Sequence, residues 1–404
     1  MENIIVVGGG QTAASFIAKF RSFDAITPIV LVGEEPVLPY QRPPLSKKYA
    51  TGEMKVEQLF LRPQAWYEDQ NVTLITGVQV IKIDRNDKSV ALSNGDQLTY
   101  SKLIFATGSK VRTLPSTVTK DLEGIITIRT LSDADSLGAR LERGKNVAII
   151  GGGYIGLEVA AVCAQKGLNV TLIEASERIL QRVACKETSD WFRNRHLAEG
   201  VTIKENIGLS HFEGENGHVT QAILTDGSRH NIDFAIVGIG IMPRTELAED
   251  CGLYVEDGIV VDGQARTSDP NIYAAGDCAI AEFDGQMTRL ESVPNAIDQA
   301  NVAAQNAATN GNISYQAKPW FWSDQYDVKL QIAGLNRGYD QVVSRPTDQP
   351  NSAAFFYYRR GQLIAIDAIN APRIYMMGKR IIEAGKNVTP YQAANAEFDL
   401  KSLM

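Results

Sequence analysis

The chain has 404 residues, of which 44% are hydrophobic and 22% are charged, and its formal net charge is −7. This length exceeds what one hydrophobic core serves and predicts two or three domains, and the acidic balance argues against nucleic acid or an anionic membrane as the main partner. The N-terminus enters a strand without a basic or apolar leader, and no apolar run is long enough to span a bilayer, so a cytoplasmic location is predicted.

A strand, a glycine-rich turn and a helix open the chain. The apolar run Ile4 to Val7 leads into Gly8-Gly9-Gly10, and a helix is predicted from Gln11 to about Arg21. In such a fingerprint the first glycine lets the strand turn sharply, and the second leaves no Cβ to block a pyrophosphate, which the helix N-terminus attracts. One motif of this kind is a weak signal by itself.

Acidic residues follow the second predicted strand, Pro28 to Val32, at Glu34 and Glu35. In a doubly wound fold, an acid at this place accepts hydrogen bonds from the adenosine ribose. Glu34 is predicted for that role, with Glu35 as the alternative. Without a bound nucleotide, these residues would be a solvated acidic turn.

A proline-rich segment, Pro39-Tyr40-Gln41-Arg42-Pro43-Pro44-Leu45-Ser46-Lys47, is predicted to be a stiff turn that leads into a short helix from Leu45. Such a turn suits Arg42 and Lys47 to present positive charge to a flavin ring or its diphosphate. An ordinary surface turn is the alternative. The buried-strand pattern Leu103 to Gly108 then closes the first nucleotide unit.

The same pattern recurs in the middle of the chain. The apolar run Val147 to Ile150 leads into Gly151-Gly152-Gly153-Tyr154-Ile155-Gly156, and the next strand is predicted at Thr171 to Glu174. Glu174 lies at about the usual spacing, roughly 20 residues, for the ribose-binding acid. Its charge repels a 2′-phosphate and favours NADH over NADPH, a preference that nearby Arg178 weakens only slightly. Two fingerprints predict two dinucleotides, with electrons passing between them.

After a strand at Phe234 to Val237 the chain is predicted to return to its first domain. The signal is an apolar strand from Asn271 that ends at Gly276-Asp277, followed by a helix from about Pro294 to Ala308. Asp277 would accept a hydrogen bond from a ribityl hydroxyl, and the helix N-terminus would face the carbonyl edge of the flavin.

From Pro319 onward the pattern predicts a small α+β domain rather than a third nucleotide unit. Gly338 and Gly361 mark turns between strand-like runs. These runs lie at Lys329 to Ala333, Gln341 to Val343, Ala354 to Tyr358 and Leu363 to Ile366, and helical patterns follow from Ile374 to Ala384 and from Pro390.

Cysteine and histidine usage excludes several chemistries. No Cys-x-x-Cys pair exists, which argues against a disulfide reductase and fits a reducing compartment. The histidines show no metal-ligand spacing, so no metal site is predicted and all four are expected to be surface or loop residues. The residues concerned are Cys163, Cys185, Cys251, Cys278, His196, His211, His218 and His230.

Six segments together resemble the FAD-dependent NADH:ferredoxin reductases of bacterial oxygenase systems, the putidaredoxin reductase type: PYQRPPLSK, ATG, GGGYIGLE, AAGDCA, ESVPNA and PWFWSDQ. The resemblance covers essentially the whole chain. It implies an α/β architecture like that of glutathione reductase, with two doubly wound, Rossmann-like dinucleotide-binding domains plus a C-terminal α+β domain. The implied domains are an FAD-binding domain at 1–110 and 241–318, an NADH-binding domain at 111–240 and a C-terminal interface domain at 319–404.

The resemblance also implies residue roles. Lys47 would lie near the reactive edge of the isoalloxazine, Glu158 would orient the nicotinamide carboxamide, and Trp322 would lie between the flavin and a docked ferredoxin. Packing with Trp320 and Phe321 is the alternative for Trp322. The implied FAD contacts are Gly8, Gly10, Thr12, Glu34, Arg42, Lys47, Val80, Ala106, Arg129, Asp277 and Val293, and the implied NADH contacts are Gly151, Gly153, Tyr154, Ile155, Gly156, Glu158 and Glu174.

The implied reaction passes a hydride from NADH to FAD and then single electrons to two molecules of a two-iron ferredoxin, with no protein nucleophile or metal. Lys47 would stabilise the reduced ring electrostatically.

Such ferredoxins are acidic, so a basic rim is expected at Arg62, Arg289, Lys329 and Arg337. The terminal oxygenase would be a haem monooxygenase or a Rieske dioxygenase, with PYQRPPLSK and PWFWSDQY favouring the haem type. A monomer is expected.

One residue departs from the family pattern, and two other functions compete. Arg244 follows Met242-Pro243, where relatives usually carry Asn. NADH oxidases, peroxidases and disulfide reductases share the fold but need a redox cysteine between about Tyr40 and Phe60, where this chain has none. A non-enzymatic sensor that binds FAD and NADH is the other alternative, although such proteins carry targeting or basic segments that are missing here.

Overall fold

The computed structural model describes residues 3–347 and 349–403. Met1, Glu2, Asp348 and Met404 lie outside the described residues, so the prediction made for the N-terminal residues Met1-Glu2 also falls outside them. The chain forms two compact units, Met1–Arg42 with Val56–Lys110 and Ile241–Pro319, and Pro43–Lys55 with Val111–Gly240 and Trp320–Met404. This division differs from the predicted domains at residues 43–55, which lie in the second unit. The segments predicted as the NADH-binding and C-terminal domains also share that unit.

The first unit is built on a five-stranded parallel sheet. Its strands are apolar runs, as expected for a parallel sheet covered on both faces. The order across the sheet is Ile272–Ala274, Lys102–Phe105, Ile4–Val7, Ile29–Gly33 and Val72–Thr76, so a strand from late in the chain completes a sheet begun at the N-terminus.

Helices Gln11–Arg21 and Val293–Thr309 cover one face of this sheet through Phe16, Phe20 and Ala300. The shorter helices are Gln64–Asp69 and Glu246–Asp250, with 3₁₀ turns at Val56–Gln58 and Gly276–Cys278. The remaining strands are Val80–Asp84, Ser89–Leu92, Gln97–Thr99, Ser109–Val111, Ile241–Pro243, Val255–Glu256, Gly258–Val260, Ala279–Phe283 and Gln286–Thr288; Ser109–Val111 crosses into the second unit.

The second unit repeats the parallel sheet. Its order is Thr202–Lys204, Asn169–Ile173, Asn146–Ile150, Phe234–Val237 and Ile125–Ile126, with the fingerprint strand again at the centre. Its helices are Ser116–Thr119, Leu131–Gly138, Tyr154–Gln165 and Lys186–Ala198, and an antiparallel sheet of Leu209–Glu215, His218–Leu224 and Arg229–Asn231 follows. The shared strand order is the structural counterpart of the duplicated glycine motif.

An antiparallel five-stranded sheet completes the second unit, in the order Trp320–Gln325, Val328–Gly334, Gln362–Ile369, Ala353–Arg359 and Gln341–Arg345. Helices Pro372–Glu383 and Pro390–Ala394 and a 3₁₀ turn at Leu400–Leu403 follow. Over the part of the chain that the structure describes, no helix is long and apolar enough to cross a membrane.

One hydrophobic core joins the two sheets of the second unit. Phe234 and Ile236 of the parallel sheet belong to the same buried cluster as Leu330 and Tyr357 of the antiparallel sheet. Burying apolar surface is the main favourable term in folding, so the shared core explains why these two predicted domains form one unit. A polar side chain between the two sheets is therefore removed from water.

Candidate functional sites

The first glycine turn has the shape of a phosphate cradle. Gly8 has φ of +114°, and a Cβ there would lie 2.3 Å from the carbonyl oxygen of Ala106. A Cβ on Gly10 would meet nothing within 4 Å in the described part of the chain beyond its sequence neighbours. Among the described residues, no side chain caps helix Gln11–Arg21, whose N-cap is Gly10. The turn is therefore tight on its protein side and open at the helix N-terminus.

The second glycine turn repeats this geometry in its own unit. Gly151 has φ of +107°, and its Cβ would lie 2.4 Å from the carbonyl oxygen of Gly238. A Cβ on Gly156 would lie 2.0 Å from the carbonyl oxygen of Gly151, so the helix packs directly against the turn. Gly153 again has open space where a Cβ would be, and no side chain of the described residues caps helix Tyr154–Gln165.

Both cradles fit the pyrophosphate of a dinucleotide. Helix N-terminal N–H groups that no side chain occupies bind anions, and a glycine with free space beside it admits the phosphate. Each unit therefore has a cradle that fits one dinucleotide, and FAD and a pyridine nucleotide both carry the pyrophosphate that such a cradle binds.

The two acids after the second strand have different partners. Glu34 accepts a hydrogen bond from Gln79 Nε2 at 2.7 Å and is paired with Arg244, the residue that departs from the family pattern. Glu35 pairs with Arg42 at 2.8 Å and accepts from the hydroxyl of Tyr40 at 2.7 Å. Arg42 is thus held by Glu35, while Glu34 keeps an exposed, arginine-paired carboxylate beside the first cradle.

The acid of the second cradle is tied to its glycine loop. Glu174 accepts hydrogen bonds from the backbone N–H groups of Gly152 and Ser176, both at 2.7 Å. Arg178 points elsewhere: its guanidinium donates to the carbonyl oxygens of Ala184 and Cys185 at 2.9 and 3.2 Å. Arg178 is therefore already engaged by backbone carbonyl oxygens and directed away from Glu174's carboxylate partners, Gly152 and Ser176.

The other predicted FAD contacts of the first unit lie on several of its strands, turns and helices. Gly276 has φ of +78°, and a Cβ there would lie 2.3 Å from Thr12 Oγ1. Asp277 accepts a hydrogen bond from Ser109 at 2.9 Å, and Val293 is the first residue of its helix. Val80 and Ala106 are buried.

Two predicted FAD contacts, Lys47 and Arg129, lie in the second unit. The backbone N–H of Arg129 donates to Asp133 at 2.8 Å, directly before helix Leu131–Gly138. The helix predicted from Leu45 is instead a 3₁₀ turn at Pro43–Ser46, after which the N–H of Lys47 donates to the carbonyl oxygen of Pro44 at 3.0 Å.

Glu158 and Lys47 form a buried ion pair within the second unit. Glu158, on helix Tyr154–Gln165, is 4% exposed, and its Oε2 lies 2.5 Å from Lys47 Nζ. Ser46 donates to the same oxygen at 3.0 Å, and Ser323 donates to Oε1 at 2.8 Å. Removing a carboxylate from water is costly unless a counter-charge and donors surround it, and this site supplies both.

Aromatic side chains lie near this pair. Tyr154 and Phe321 have ring centroids 4.8 Å apart, and the rings of Trp320 and Trp322 lie 5.6 Å apart. Trp322 thus belongs to an aromatic cluster, as the alternative for this residue expected. Ile155 is largely exposed on the fingerprint helix.

The predicted basic rim residues have unequal surroundings. The side chain of Arg289 is only 9% exposed and is paired with Asp257 and Glu291, whereas a docking cation must face solvent. Lys329 is 57% exposed and lies 3.5 Å from Asp324. Arg62 lies over the ring of Trp66, and Arg337 lies on the loop before strand Gln341–Arg345.

The cysteines have the properties of structural rather than reactive thiols. Cys163, Cys185 and Cys278 are buried and Cys251 is partly buried, and all four are unpaired. Burial raises the pKa of Cys163 to about 12 and that of Cys185 to about 11. The thiolate, which is the reactive form, is therefore disfavoured.

Four residues around Glu158 were not singled out by sequence reasoning. Ser46 and Ser323 are direct partners of the carboxylate, and Gln325 and His196 lie behind Ser323. The prediction that every histidine is a surface or loop residue is wrong for His196, which is fully buried within a helix. Its position four residues after buried Phe192 is the signal that could have found it.

Two Rossmann-like sheets with two open glycine cradles define the class of oxidoreductases that pair a flavin with a pyridine nucleotide. The chain belongs to the pyridine nucleotide-disulphide oxidoreductase family, whose family model matches residues 2–300, and a model for the reductase C-terminal domain matches residues 320–404. It is an oxidoreductase with FAD and NAD(P)H as cofactors.

Individual relatives match over the whole chain. Rhodocoxin reductase of Rhodococcus erythropolis is 39% identical over 99% of this chain and 93% of its own length. The crystal structure of the ferredoxin reductase for the CYP199A2 system from Rhodopseudomonas palustris matches with a TM-score of 0.95 and 38% identity, covering 100% of this chain and 99% of that one. A covalent putidaredoxin reductase–putidaredoxin complex matches with a TM-score of 0.95 and 36% identity, covering 100% of this chain and 98% of that one.

Proposed function

We propose that the protein is an NADH-dependent reductase of a two-iron ferredoxin in a bacterial oxygenase system. The observation that carries this proposal is the pair of open glycine cradles, one in each unit. The putidaredoxin complex and the rhodocoxin reductase supply the kind of electron acceptor, because both match essentially the whole chain. FAD bound in the first unit would accept a hydride and release electrons singly.

The FAD site is proposed from the residues around the first cradle. The helix N-terminus at Gly10 would hold the pyrophosphate, Glu34 the adenosine ribose and Asp277 the ribityl chain. Arg42, held by Glu35, would supply positive charge nearby. Residues 1–110 and 241–318 remain the proposed FAD-binding domain, with 111–240 binding NADH and 319–404 forming the interface domain.

NADH is the proposed physiological donor. Glu174 would bind the ribose hydroxyls of NADH and repel the 2′-phosphate of NADPH. Arg178 donates to backbone carbonyls and to Ser189, so it does not offset this repulsion. This geometry supports a stronger preference for NADH than the sequence alone implied.

Lys47 and Glu158 are proposed as the charged pair that serves the redox centre. Glu158 would hold the nicotinamide carboxamide, with its position fixed by Ser46, Ser323 and Lys47. Lys47 would stabilise negative charge on the reduced flavin, since a preorganised cation in a dry site interacts strongly with developing charge.

An acidic ferredoxin would dock on exposed cations of this acidic protein. Lys329, Arg62 and Arg337 remain in that proposal, and the low exposure of the Arg289 side chain argues against a direct role for that residue. Trp322 is proposed as the aromatic group beside the docked ferredoxin. A reducing, cytoplasmic compartment suits the four unpaired cysteines, and a monomer is proposed separately from them.

The test is an anaerobic stopped-flow experiment on the flavin-loaded protein. Mixing with NADH should bleach the flavin, and adding oxidised two-iron ferredoxin should restore it while the ferredoxin spectrum becomes reduced. NADPH should bleach the flavin far more slowly. Bleaching by NADH without transfer to any of several two-iron ferredoxins would favour the sensor alternative, and rapid reoxidation by dioxygen alone would favour an NADH oxidase.

A further inference from the structure

A chain of buried hydrogen bonds runs to Glu158 from helix Lys186–Ala198. The hydroxyl of Tyr326 lies 3.0 Å from His196 Nδ1, and His196 Nε2 lies 2.8 Å from Gln325 Oε1. Gln325 Nε2 donates to Ser323 Oγ at 3.2 Å, and Ser323 donates to Glu158 Oε1 at 2.8 Å. Ser323 and Gln325 lie two residues apart on one strand and so share a face.

These side chains are removed from water. His196 and Ser323 have no exposed surface, and Gln325 is 1% exposed. A buried polar group without a partner costs about 1–3 kcal/mol, so a chain of such groups persists only if each member is satisfied. The described bonds meet that condition from Tyr326 to Glu158.

The carboxylate of Glu158 fixes the direction of every bond in this chain. An ionised carboxylate only accepts hydrogen bonds, so the hydroxyl of Ser323 donates its one hydrogen bond to Glu158. The Ser323 oxygen must then accept the hydrogen bond from Gln325. The amide of Gln325 therefore turns its oxygen toward His196, which must carry its proton on Nε2. His196 Nδ1 is left to accept from Tyr326, and all four bonds point toward Glu158.

The state of His196 agrees with this direction. Burial lowers the pKa of His196 to about 4, and the positive charge of neighbouring Arg195 acts in the same direction, although the hydrogen bond to Gln325 raises it. The ring is therefore neutral at neutral pH. A neutral ring has one donor and one acceptor, which the chain uses on Gln325 and Tyr326. The amide of Gln325 interrupts any proton relay, because an amide N–H does not release its proton at neutral pH. The chain is therefore suited to hold a group in place and not to conduct protons.

The chain acts on the oxygen that Lys47 does not hold. Ser46 and Lys47 both contact Glu158 Oε2, which would draw the carboxylate toward residues 43–55. The bond from Ser323 to Oε1 opposes that rotation. The carboxylate plane is thus set by contacts on both sides.

We propose that Ser323, Gln325 and His196 are positioning residues that orient the Glu158 carboxylate for the nicotinamide carboxamide. The proposal rests on the proposed role of Glu158 in NADH binding. Ser323 acts directly on the carboxylate, and Gln325 and His196 act through Ser323. The effect of a substitution should therefore decrease from Ser323 to His196.

The test compares two ligands by calorimetry on the flavin-loaded protein. Tetrahydro-NAD is an NADH analogue that cannot give up hydride, and ADP-ribose lacks the nicotinamide altogether. Ser323→Ala should weaken tetrahydro-NAD binding about three- to tenfold, the range of one hydrogen bond, and leave ADP-ribose binding unchanged. Gln325→Met should cause a smaller weakening in the same direction, and Ser323→Thr, which keeps the hydroxyl, should restore binding.

A matched control is Tyr357→Phe, which removes a buried hydroxyl that accepts from the backbone N–H of Cys185 and donates to Asp367 in the same unit, and leaves the hydrogen bonds to Glu158 in place. It should change the melting temperature and leave both affinities as they are. If Ser323→Ala weakens both ligands equally, or neither, the positioning role is wrong. If the wild-type protein does not bind ADP-ribose, the nucleotide site itself fails instead.

Discussion

Replacing Gly153 with alanine should abolish tight binding of the pyridine nucleotide while leaving the fold intact. A Cβ at Gly153 meets nothing within 4 Å among the described residues outside its own chain neighbours, whereas a Cβ at Gly151 would lie 2.4 Å from a carbonyl oxygen. The methyl group of Gly153→Ala would therefore occupy the space that the phosphate needs, whereas the methyl group of Gly151→Ala would overlap with the protein itself. The two substitutions are chemically identical and separate ligand binding from folding.

The expected magnitudes follow from the backbone at each glycine. Gly153 has φ of −79° and ψ of −177°, which alanine adopts freely, so its effect on unfolding should stay within about 1 kcal/mol. Gly151 has φ of +107°, and the strain and steric overlap should cost roughly 2–4 kcal/mol. Displacing the pyrophosphate from the helix N–H groups should cost about 3 kcal/mol, on the order of a hundredfold in Kd.

The assay is thermal unfolding of the flavin-loaded variants together with calorimetry of ADP-ribose binding. Gly153→Ala should have the melting temperature of the wild type and bind ADP-ribose weakly. Gly151→Ala should have a clearly lower melting temperature. The pair Gly10→Ala and Gly8→Ala repeats the comparison on the other cradle, read as flavin content of the purified protein. If Gly153→Ala binds ADP-ribose within threefold of wild type, the open space at this glycine is not the phosphate path.

Three further predictions follow from other parts of the structure. Glu174→Ala should raise the KM for NADH on the order of tenfold, because the ribose diol loses its acceptor, and should lower the KM for NADPH, because the repulsion of the 2′-phosphate is removed; an unaltered ratio of the two in steady-state kinetics would exclude Glu174 as the ribose acid. The rate of ferredoxin reduction should fall about tenfold as ionic strength rises from about 0.05 to 0.5 M, while ferricyanide reduction by the same protein stays constant. Equal salt dependence for both acceptors would contradict docking on the exposed cations. Burial raises the pKa of Asp367 to about 6 although Tyr357 and Thr188 donate to it, so the stability contributed by its neutral form is present below about pH 4 and lost as the pH rises through 6. The free energy of unfolding of Asp367→Asn, measured in urea, should therefore rise relative to that of the wild type by up to about 3 kcal/mol between about pH 4 and pH 6. A difference between the two proteins that does not change with pH would refute the raised pKa.

Local patterns were sufficient for the elements around the cradles. Helix Gln11–Arg21 and strand Phe234–Val237 have the predicted bounds, because an apolar run followed by glycine specifies both the strand and its end. The confirmed two-sheet fold follows from repetition of that pattern. Trp320–Gln325 is also a strand, which the predicted strand-like runs did not include.

The environment of Glu158 could not be predicted because its partners are distant in sequence. Ser46 and Ser323 belong to motifs that the sequence singled out, yet neither pattern shows that both hydroxyls reach one carboxylate. His196 has the spacing of a buried helical face, but that spacing does not show which polar groups its ring would meet. Such contacts depend on tertiary packing rather than on periodicity.

The placement of residues 43–55 in the second unit has a physical reason in this same carboxylate. A buried Glu158 without Lys47 would be an uncompensated charge, at a cost of about 3–5 kcal/mol. The ion pair, with Ser46 beside it, therefore favours docking of the proline-rich turn onto helix Tyr154–Gln165. The glycine fingerprints divide the chain into the proposed FAD-binding and NADH-binding domains. The division into compact units also depends on which charged side chains are buried together. A segment assigned by motif to the flavin domain consequently packs with the helix that carries Glu158.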